Sequence, residues 1–310
     1  MNFNGKLRGH MALLGANVCW GLMAPVAKLV MAAGVITPLV LTDCRIVGAA
    51  ILFWLLSLCG RREHVPAGDL LRLAGAGMLG ILFNQGCYIF GVGYTSPGEA
   101  SIITTTMPMW VMVLSRIILK ATITGGKAFG ILLGAVGAFM LVYSSLGSSV
   151  RGNNPLLGDL LVLTAQLSYA LYLTLYKNFL KKYSLVTMMK WMFTFAAVAV
   201  IPFSVGDITA TDWSAVPASV GWGIAYVVFM GTFVAYICMM TGQKALMPTV
   251  VGMYNYFQPI VATGVGLYLG LDVFTPLKGA AVVLIFAGVY LVSISSRPRN
   301  ISLSVKTDKN

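Results

Sequence analysis

The sequence predicts an all-α integral membrane protein in which ten transmembrane helices form two inverted five-helix repeats (5+5). Three observations support this prediction: an apolar composition, ten apolar segments of membrane-spanning length, and self-similarity between the two halves of the chain. Hydrophobic residues make up 58% of the 310 residues and charged residues only 10%, whereas a soluble domain carries about 25% charged residues. So few charges cannot coat a soluble globule of this size, and a soluble fold is therefore excluded.

The predicted spans are apolar runs bounded by charges, glycine, proline or asparagine. A helix needs about 20 apolar residues to cross the hydrocarbon core, and the chain has room for ten such runs. They cover residues 9–31, 37–59, 70–94, 98–119, 126–146, 157–178, 185–204, 218–241, 248–270 and 276–295. The first run is a span rather than a signal peptide, because it extends from Met11 to Ile36 and exceeds the roughly 7–15 apolar residues of a signal-peptide core.

These spans divide the chain into five parts. They are a cytoplasmic N-terminus over 1–8, a first repeat over 9–146 with spans 1–5, an external connection over 147–156, a second repeat over 157–295 with spans 6–10, and a basic cytoplasmic tail over 296–310. Most connections are short. The two longer ones, 146–155 and 205–217, are rich in turn residues and are predicted to be external.

The distribution of cations sets the predicted orientation. With the N-terminus inside, 15 of the 21 Lys and Arg residues fall in cytoplasmic segments and two, Arg151 and Lys278, in external ones. The positive-inside rule then places both termini of this multi-pass chain in the cytoplasm. The net charge of +12 does not indicate a nucleic-acid partner, because the cations punctuate apolar runs instead of sharing one solvated face.

The two halves of the chain resemble each other at a fixed offset. An offset of 151 residues pairs Gly80 with Gly231, Cys87 with Cys238, Gly91 with Gly242, Pro97 with Pro248 and Pro108 with Pro259. Near the N-terminus the offset is 149, and it pairs Lys28 with Lys177. Because each half holds an odd number of spans, the second half enters the membrane from the opposite side, which is the inverted-repeat architecture of secondary carriers.

Polar and aromatic residues recur on one face of several spans, although a polar group in hydrocarbon is unfavourable. In span 3, Gly80, Asn84 and Tyr88 follow one another at intervals of four residues, which is helical spacing. Such faces predict a central cavity whose substrate-binding residues are Asn17, Trp20, Asn84, Tyr88, Gln166, Tyr169, Asn255, Tyr256 and Gln258. The alternative for each residue is a hydrogen bond between helices. Pro108 and Pro259, at equivalent places in the two repeats, are the predicted hinges.

Six charged residues within the spans are predicted to lie near helix ends: Lys28, Asp43, Arg45, Glu99, Asp159 and Lys177. We expect the two lysines to extend toward the membrane interface rather than to act as gates. Asp43 and Arg45 are two residues apart and do not share a helix face, so an ion pair between them is not assured. No carboxylate falls at the middle of the membrane, and we therefore expect transport not to depend strictly on a proton gradient.

The sequence offers no constellation for catalysis or for metal binding. His10 and His64 have no Cys, Asp or Glu at ligand spacing. The five cysteines lie within apolar segments and are predicted to be core residues rather than disulfides. Gly75, Gly77 and Gly80 match the G-x-G-x-x-G pattern, but no strand precedes them, which argues against a dinucleotide site. We expect no metal, no cofactor and no enzymatic activity.

Several motifs resemble the EamA family of the drug/metabolite transporter superfamily. They are the segment Tyr94–Pro108, the glycine-rich segment Gly130–Gly137, the pair Gln258-Pro259, the segment Gly288–Val292 and the pair Trp20-Gly21. Arg45 matches an arginine usual early in the second helix of that family. The sequence departs from the family where members commonly have Leu-Gly-Glu, because Leu119-Lys120-Ala121 and Leu269-Gly270-Leu271-Asp272 stand there.

This resemblance implies an inner-membrane secondary transporter that works by alternating access and exports amino acids or related small metabolites. Its partners are then the lipid bilayer and a small-molecule substrate, and we expect a monomer. A carrier of phosphorylated metabolites or nucleotide sugars is the alternative within the superfamily, and it needs Lys or Arg in its cavity. Two other classes stay open, a non-transporting receptor or scaffold and an intramembrane enzyme.

Overall fold

The computed structural model describes residues 3–60, 63–94, 103–143, 154–268 and 275–295. Within these ranges the chain forms helices and turns and contains no strand. The α-helices are α1 (Phe3–Ala32), α2 (Pro38–Leu58), α3 (Ala67–Gly77), α4 (Asn84–Tyr94), α5 (Met107–Ile118), α6 (Gly125–Tyr143), α7 (Pro155–Leu175), α8 (Leu185–Ala210), α9 (Ala218–Val228), α10 (Ala235–Ala245), α11 (Pro248–Met253), α12 (Phe257–Tyr268) and α13 (Pro276–Ser295). Short 3₁₀ turns cover Phe179–Lys181, Trp213–Ala215 and Tyr254–Tyr256.

Several of these helical segments have the length and apolar character of membrane spans. Six meet both criteria in the described part of the chain: Pro38–Leu58, Ala67–Gly91, Leu156–Leu175, Leu185–Ala210, Ala218–Ala245 and Pro276–Ser295. Met107–Ile118 and Gly125–Met140 are apolar but shorter. A multi-pass membrane protein follows from these helices.

Some predicted boundaries were wrong. The first helix begins at Phe3, inside the predicted N-terminal segment 1–8, and α7 begins at Pro155, inside the predicted connection 147–156. Predicted span 6 ends at Leu175 rather than at 178. The seventh span continues to Ala210 rather than ending at 204, which shortens the predicted connection 205–217.

Two predicted spans are not continuous helices. In span 4 a turn at 105–106 precedes α5, and Pro108 lies in the first turn of that helix, where a proline displaces no intrahelical hydrogen bond. In span 9 the 3₁₀ turn Tyr254–Tyr256 separates α11 from α12, again just before a proline, Pro259. The proline ring clashes with the carbonyl group four residues earlier, so the regular helix restarts near the proline.

Two π-helical segments stand at equivalent places in the two halves of the chain. Met78–Phe83 connects α3 to α4, and Phe229–Val234 connects α9 to α10. Each π segment begins 151 residues from its counterpart, which is the offset of the sequence similarity. A π segment widens the helical turn by one residue and frequently marks a functional site.

Helices that the offset makes equivalent also pack side by side. Helix α6 crosses α13, with Gly130 against Gly288 and Gly137 against Ala281, so the two helices run antiparallel. A Cβ atom on Gly130 would collide with the carbonyl oxygen of Gly288, and this close approach is the reason for the glycine ridge. Likewise α2 packs antiparallel on α8, where Thr37, just before α2, donates to Asp207 near the end of α8.

Candidate functional site

Arg45 lies in the interior of the helix bundle, about two turns into α2. Its side chain is 8% exposed, and Nε donates a hydrogen bond to Oγ1 of Thr232 at 3.1 Å. Thr232 is fully buried and belongs to the second π segment. Tyr88 and Tyr236 lie within electrostatic range of the guanidinium group. No carboxylate among the described residues forms an ion pair with Arg45.

Gln85 and Tyr236 meet beside this arginine. Gln85 Nε2 donates to Tyr236 Oη at 2.7 Å, and both side chains are buried. The two residues are 151 positions apart, so each occupies the place of the other in the opposite half of the chain. The Oε1 atom of Gln85 is buried and has no hydrogen-bond donor among the described residues, which costs about 1–3 kcal/mol unless a ligand supplies one.

Trp20, on α1, packs against this group of side chains. Its Nε1 donates to the carbonyl oxygen of Gly231 at 3.0 Å, and its ring meets that of Tyr236 edge-on with 5.8 Å between the ring centroids. We call the resulting set of side chains the central cluster. Its members are Trp20, Arg45, Gln85, Tyr88, Thr232 and Tyr236.

Half of the central cluster was not predicted. Trp20 and Tyr88 were predicted as substrate-binding residues and Arg45 as a charge near a helix end, while Gln85, Thr232 and Tyr236 were missed. The offset of 151 residues contained a signal, because it pairs two polar side chains, Gln85 and Tyr236, within apolar spans. Only identical residues in the two halves were paired at that offset, so the unlike pair Gln85 and Tyr236 was missed.

A second polar group lies between α7 and the end of α10. Gln243 joins two tyrosines: its Nε2 donates to Tyr169 Oη, and its Oε1 accepts from Tyr172 Oη, both at 3.0 Å. Lys177 is buried and donates to the carbonyl oxygens of Gln243 and Leu246. The expectation that Lys177 extends to the membrane interface was therefore wrong, because the lysine caps the C-terminal carbonyl groups of α10.

Besides Trp20 and Tyr169, four predicted substrate-binding residues make hydrogen bonds between or within helices: Asn17, Asn84, Tyr256 and Gln258. Gln258 Nε2 donates to Asn17 Oδ1 at 3.1 Å, and Asn17 Nδ2 donates to the carbonyl oxygen of Leu13 at 2.8 Å. Asn84 Nδ2 donates to the carbonyl oxygen of Ala165 at 3.0 Å. Tyr256 is fully buried, and its ring lies against Gly134 of α6.

The other predicted residues are placed as follows. Gln166 is buried in α7, and the Oδ1 atom of Asn255 is buried without a hydrogen-bond partner among the described residues. Asp159 is half-buried and has an interaction partner. Glu99 and the side chain of Lys28 lie outside the described residues.

The predicted hinges adjoin the two helix interruptions. Pro108 is buried at the start of α5, and Pro259 is half-buried in the first turn of α12. The interruption before Pro259 is tied to α1, because Tyr254 Oη and His10 Nδ1 are hydrogen-bonded at 2.6 Å.

A polar network joins several helices at the end of the molecule that the cation count predicts to be cytoplasmic. Asp69, in the first turn of α3, accepts hydrogen bonds from Lys182 and Tyr183. The Asp69 hydrogen bond raises the pKa of the Lys182 ammonium group. Lys244 donates to the carbonyl oxygen of Tyr183, and Glu63 accepts from the backbone N–H of Ser184 at 3.0 Å. We call these residues the basic-end network.

The described residues contain no group of three or more His, Cys, Asp or Glu side chains placed to hold a metal ion. The central cluster instead offers one cation, one free carbonyl oxygen, hydroxyl groups and aromatic faces. Such a surface can pair with an anionic group, accept a hydrogen bond and cover an apolar body.

The comparison with protein families agrees with this architecture. The model of the EamA-like transporter family matches residues 7–143 and again residues 156–294. The chain belongs to the EamA-like transporter family. The expected family membership is thereby confirmed, and each half of this EamA-like chain matches the family model separately.

Individual relatives are also transporters by description. The uncharacterized transporter YetK of Bacillus subtilis is 22% identical over 94% of this chain and 87% of its own length. The uncharacterized inner membrane transporter YedA of Escherichia coli K12 is 25% identical over 95% of this chain and 93% of its own length. A solved crystal structure with 15% identity superposes with a TM-score of 0.78 over 96% of this chain and 99% of that one, which shows a shared fold.

Proposed function

We propose that this EamA-like protein is an inner-membrane secondary transporter that exports amino acids or related small metabolites by alternating access. The proposal is supported mainly by the central cluster. There, five helical segments bring together a buried guanidinium group that has no ion-pair partner among the described residues, a free carbonyl oxygen and aromatic rings. A transporter of polar metabolites needs such groups within an otherwise apolar bundle.

Two inverted five-helix repeats, ten spans in all, form the scaffold of this proposal. The equivalent π segments, the antiparallel packing of α2 on α8 and of α6 on α13, and the two matches to the family model support it. Antiparallel packing of equivalent helices is what a two-fold axis in the membrane plane requires. Gln85 and Tyr236 then lie on that axis, because a residue meets its own equivalent only there.

The chemistry of the central cluster favours a substrate with one carboxylate. Arg45 binds a carboxylate through two parallel hydrogen bonds, and Oε1 of Gln85 accepts from an ammonium or amide group of the same molecule. Trp20, Tyr88 and Tyr236 cover an apolar part of the substrate. An amino acid or a similar zwitterion satisfies all three features.

Arg45 also gives weight to the alternative, a carrier of phosphorylated metabolites. The sequence placed its cations near helix ends, whereas this guanidinium group lies inside the bundle. A phosphate dianion would need a second cation, and Lys177, the other buried cation discussed above, donates to the carbonyl oxygens of Gln243 and Leu246 at the end of α10. A single available cation therefore favours the carboxylate.

A metabolite-export screen tests the proposal. Cells that overexpress the protein should release one or more amino acids or related metabolites faster than cells that express Arg45→Gln at equal membrane abundance. Loss of a charge-assisted interaction of about 1.5–3 kcal/mol should weaken substrate binding roughly 10- to 150-fold. Gln85→Ala, which removes a neutral acceptor, should weaken it roughly 2- to 13-fold.

Leu132→Ala is the matched control, because Leu132 is 55% exposed on α6 and lies away from the central cluster. If this control reduced export as much as the two cluster variants, or if the cluster variants exported normally, the site would lie elsewhere. If no metabolite were exported by the wild type, the receptor or scaffold alternative would take the place of the transporter.

A further inference from the structure

Asp43 is a buried carboxyl group that is not a member of the central cluster. Its side chain is 3% exposed, and neither carboxylate oxygen has a hydrogen-bond partner among the described residues. An ionised carboxylate without a partner is strongly unfavourable in such surroundings, and the group takes up a proton instead. The sequence predicted no carboxylate at the middle of the membrane, and Asp43 lies near one end of α2, but it is buried there.

Apolar residues that belong to one buried cluster flank Asp43 along α2. Asp43 lies near Val40 and Leu41, and these two residues form one apolar cluster with Val220 and Val227 of α9. Those side chains carry no charge and donate no hydrogen bond. Cys44 is the neighbour of Asp43 on α2 and is half-buried.

The charged and polar groups near Asp43 are few. From α8, Ser204 and Asp207 face the carboxyl group, but the Ser204 hydroxyl donates to the carbonyl oxygens of Val200 and Ile201. On α2 itself, Arg45 is directed to Thr232 instead of to Asp43. From α1, Val30 belongs to the same apolar cluster, and the Lys28 side chain lies outside the described residues.

Asp207 is an exposed carboxylate on the face of α8 that is turned toward Asp43. It is exposed near the end of α8 and accepts a hydrogen bond from Thr37 Oγ1 at 3.2 Å. Ser204 and Asp207 are three residues apart and share one face of α8, the face toward Asp43. This face of α8 lies at the end of the molecule that the cation count predicts to be external.

We propose that Asp43 is a proton-binding site that exchanges its proton with the external side past Asp207. Uptake adds one proton to one oxygen of the Asp43 carboxylate, and release returns that proton to water. The helix that bears Asp43 also bears Arg45, so proton binding acts on the helix that contacts the substrate. The coupling of this proton to transport rests on the proposed function, whereas proton binding itself does not.

Dicyclohexylcarbodiimide tests the site without any substrate, because it modifies protonated carboxyl groups in apolar surroundings. The purified protein in lipid vesicles is treated at a series of pH values, and the adduct is located by peptide mass spectrometry. We expect an adduct on Asp43 at neutral pH that is lost as the pH rises, about tenfold per pH unit above the midpoint. Asp43→Asn should abolish this adduct.

Two further variants test the route to water and the specificity of the labelling. Asp207→Asn removes a like charge, so the Asp43 adduct should be lost at a lower pH than in the wild type. Asp212→Asn is the control, because Asp212 bonds only to Ser214 and the adjoining backbone in the exposed connection, and it should leave the labelling unchanged. Absence of the Asp43 adduct at every pH, or labelling that does not vary with pH, would overturn the proposed proton site. The proposed transport function would not be affected, because the export screen tests it separately.

Discussion

Asn17 and Gln258 illustrate how the buried amides of this protein are used. The sequence predicted both as substrate-binding residues, and the structure brings them together, but as partners of each other across α1 and α12. An amide in hydrocarbon needs its hydrogen bonds satisfied, and a neighbouring helix supplies them as well as a substrate does. Polarity in a span therefore indicates an inward-facing position and leaves the partner open.

The Asn17–Gln258 hydrogen bond should stabilise the folded protein measurably. In a double-mutant cycle with Asn17→Leu and Gln258→Met, we expect a coupling free energy of about 0.6 kcal/mol and at most about 1.7 kcal/mol, the range of interhelical hydrogen bonds in membranes. Unfolding in denaturing detergent measures it. The control is a second cycle in which Val18→Ala, at an exposed neighbouring position, takes the place of Asn17→Leu. If Val18 and Gln258 showed an equally large coupling free energy, the Asn17–Gln258 hydrogen bond would make no specific contribution to stability.

Glu63 provides a pH-dependent contribution to stability at the basic-end network. Burial by itself would raise the pKa of this carboxyl group, but hydrogen bonds from Thr187 and Ser184 lower it below its ordinary value. The stabilisation is therefore complete above the pKa of an unfolded glutamate and is lost as the pH falls through the lower folded pKa. Glu63→Gln should lower the melting temperature at neutral pH and have little effect in acid, as measured by thermal unfolding in detergent. An equal loss of stability at both pH values would contradict this role of Glu63.

At the level of single residues, the sequence pointed to members of the central cluster where an aromatic residue accompanied a polar helix face. Trp20 and Tyr88 were found because an aromatic residue with a polar tip stood on a polar helix face. Gln85 was missed because it follows Asn84 directly and lies off the face that Gly80, Asn84 and Tyr88 share, and Thr232 was missed because it is one polar residue in an apolar run. Burial of Arg45 was missed because its distance from the helix end suggested access to the interface. Only the packing of α2 against the second π segment places that guanidinium group inside.

At the level of helices, the sequence predicted where spans lie better than how they are interrupted. Span 10 was predicted at 276–295, and α13 covers Pro276–Ser295. The two π segments were not predicted, because an inserted residue leaves no mark on hydrophobicity. The interruptions before Pro108 and Pro259 were anticipated as bending points, and the helices in fact restart there.

The crossing of α6 and α13 should be intolerant of larger side chains. Gly130→Leu would place a side chain against the backbone of Gly288 and should destabilise the protein by about 1–3 kcal/mol, as overpacking does in other interiors. Thermal or detergent unfolding measures the change. Gly125→Leu is the matched control on the same helix, because no atom lies within 4 Å of a Cβ built there. Equal stability of the two variants would show that the helices separate readily.

At the level of the whole molecule, the two ends of the bundle are closed by different chemistry. Asp69, Lys182 and Tyr183 form a hydrogen-bonded ion pair at one end. At the other end the contacts described are mainly apolar, with Val40, Val220 and neighbouring side chains beside the Thr37–Asp207 hydrogen bond. If the two ends open in turn, as the proposed alternating access requires, salt should weaken the contacts at the first end more than those at the second.

The predicted orientation in the membrane can be tested by labelling a natural cysteine. Cys59 is exposed at the end of α2, on the predicted cytoplasmic side. A membrane-impermeant maleimide should label it only after the cells are permeabilised, whereas Ser214→Cys in a Cys59→Ser background should be labelled in intact cells. Labelling of Cys59 in intact cells would reverse the orientation.

The hydrogen bond between Gln85 and Tyr236 bears on the ancestry of the gene. If the proposed repeats descend from two separate copies of a five-helix ancestor that assembled as an inverted pair, those copies would have placed identical side chains opposite each other at this point. Fusion of the copies into one reading frame releases that constraint, and an amide donor can then face a phenol acceptor. Mutation of one partner to match the other would restore the ancestral pairing, and a split gene carrying it would show whether two half-length polypeptides still assemble.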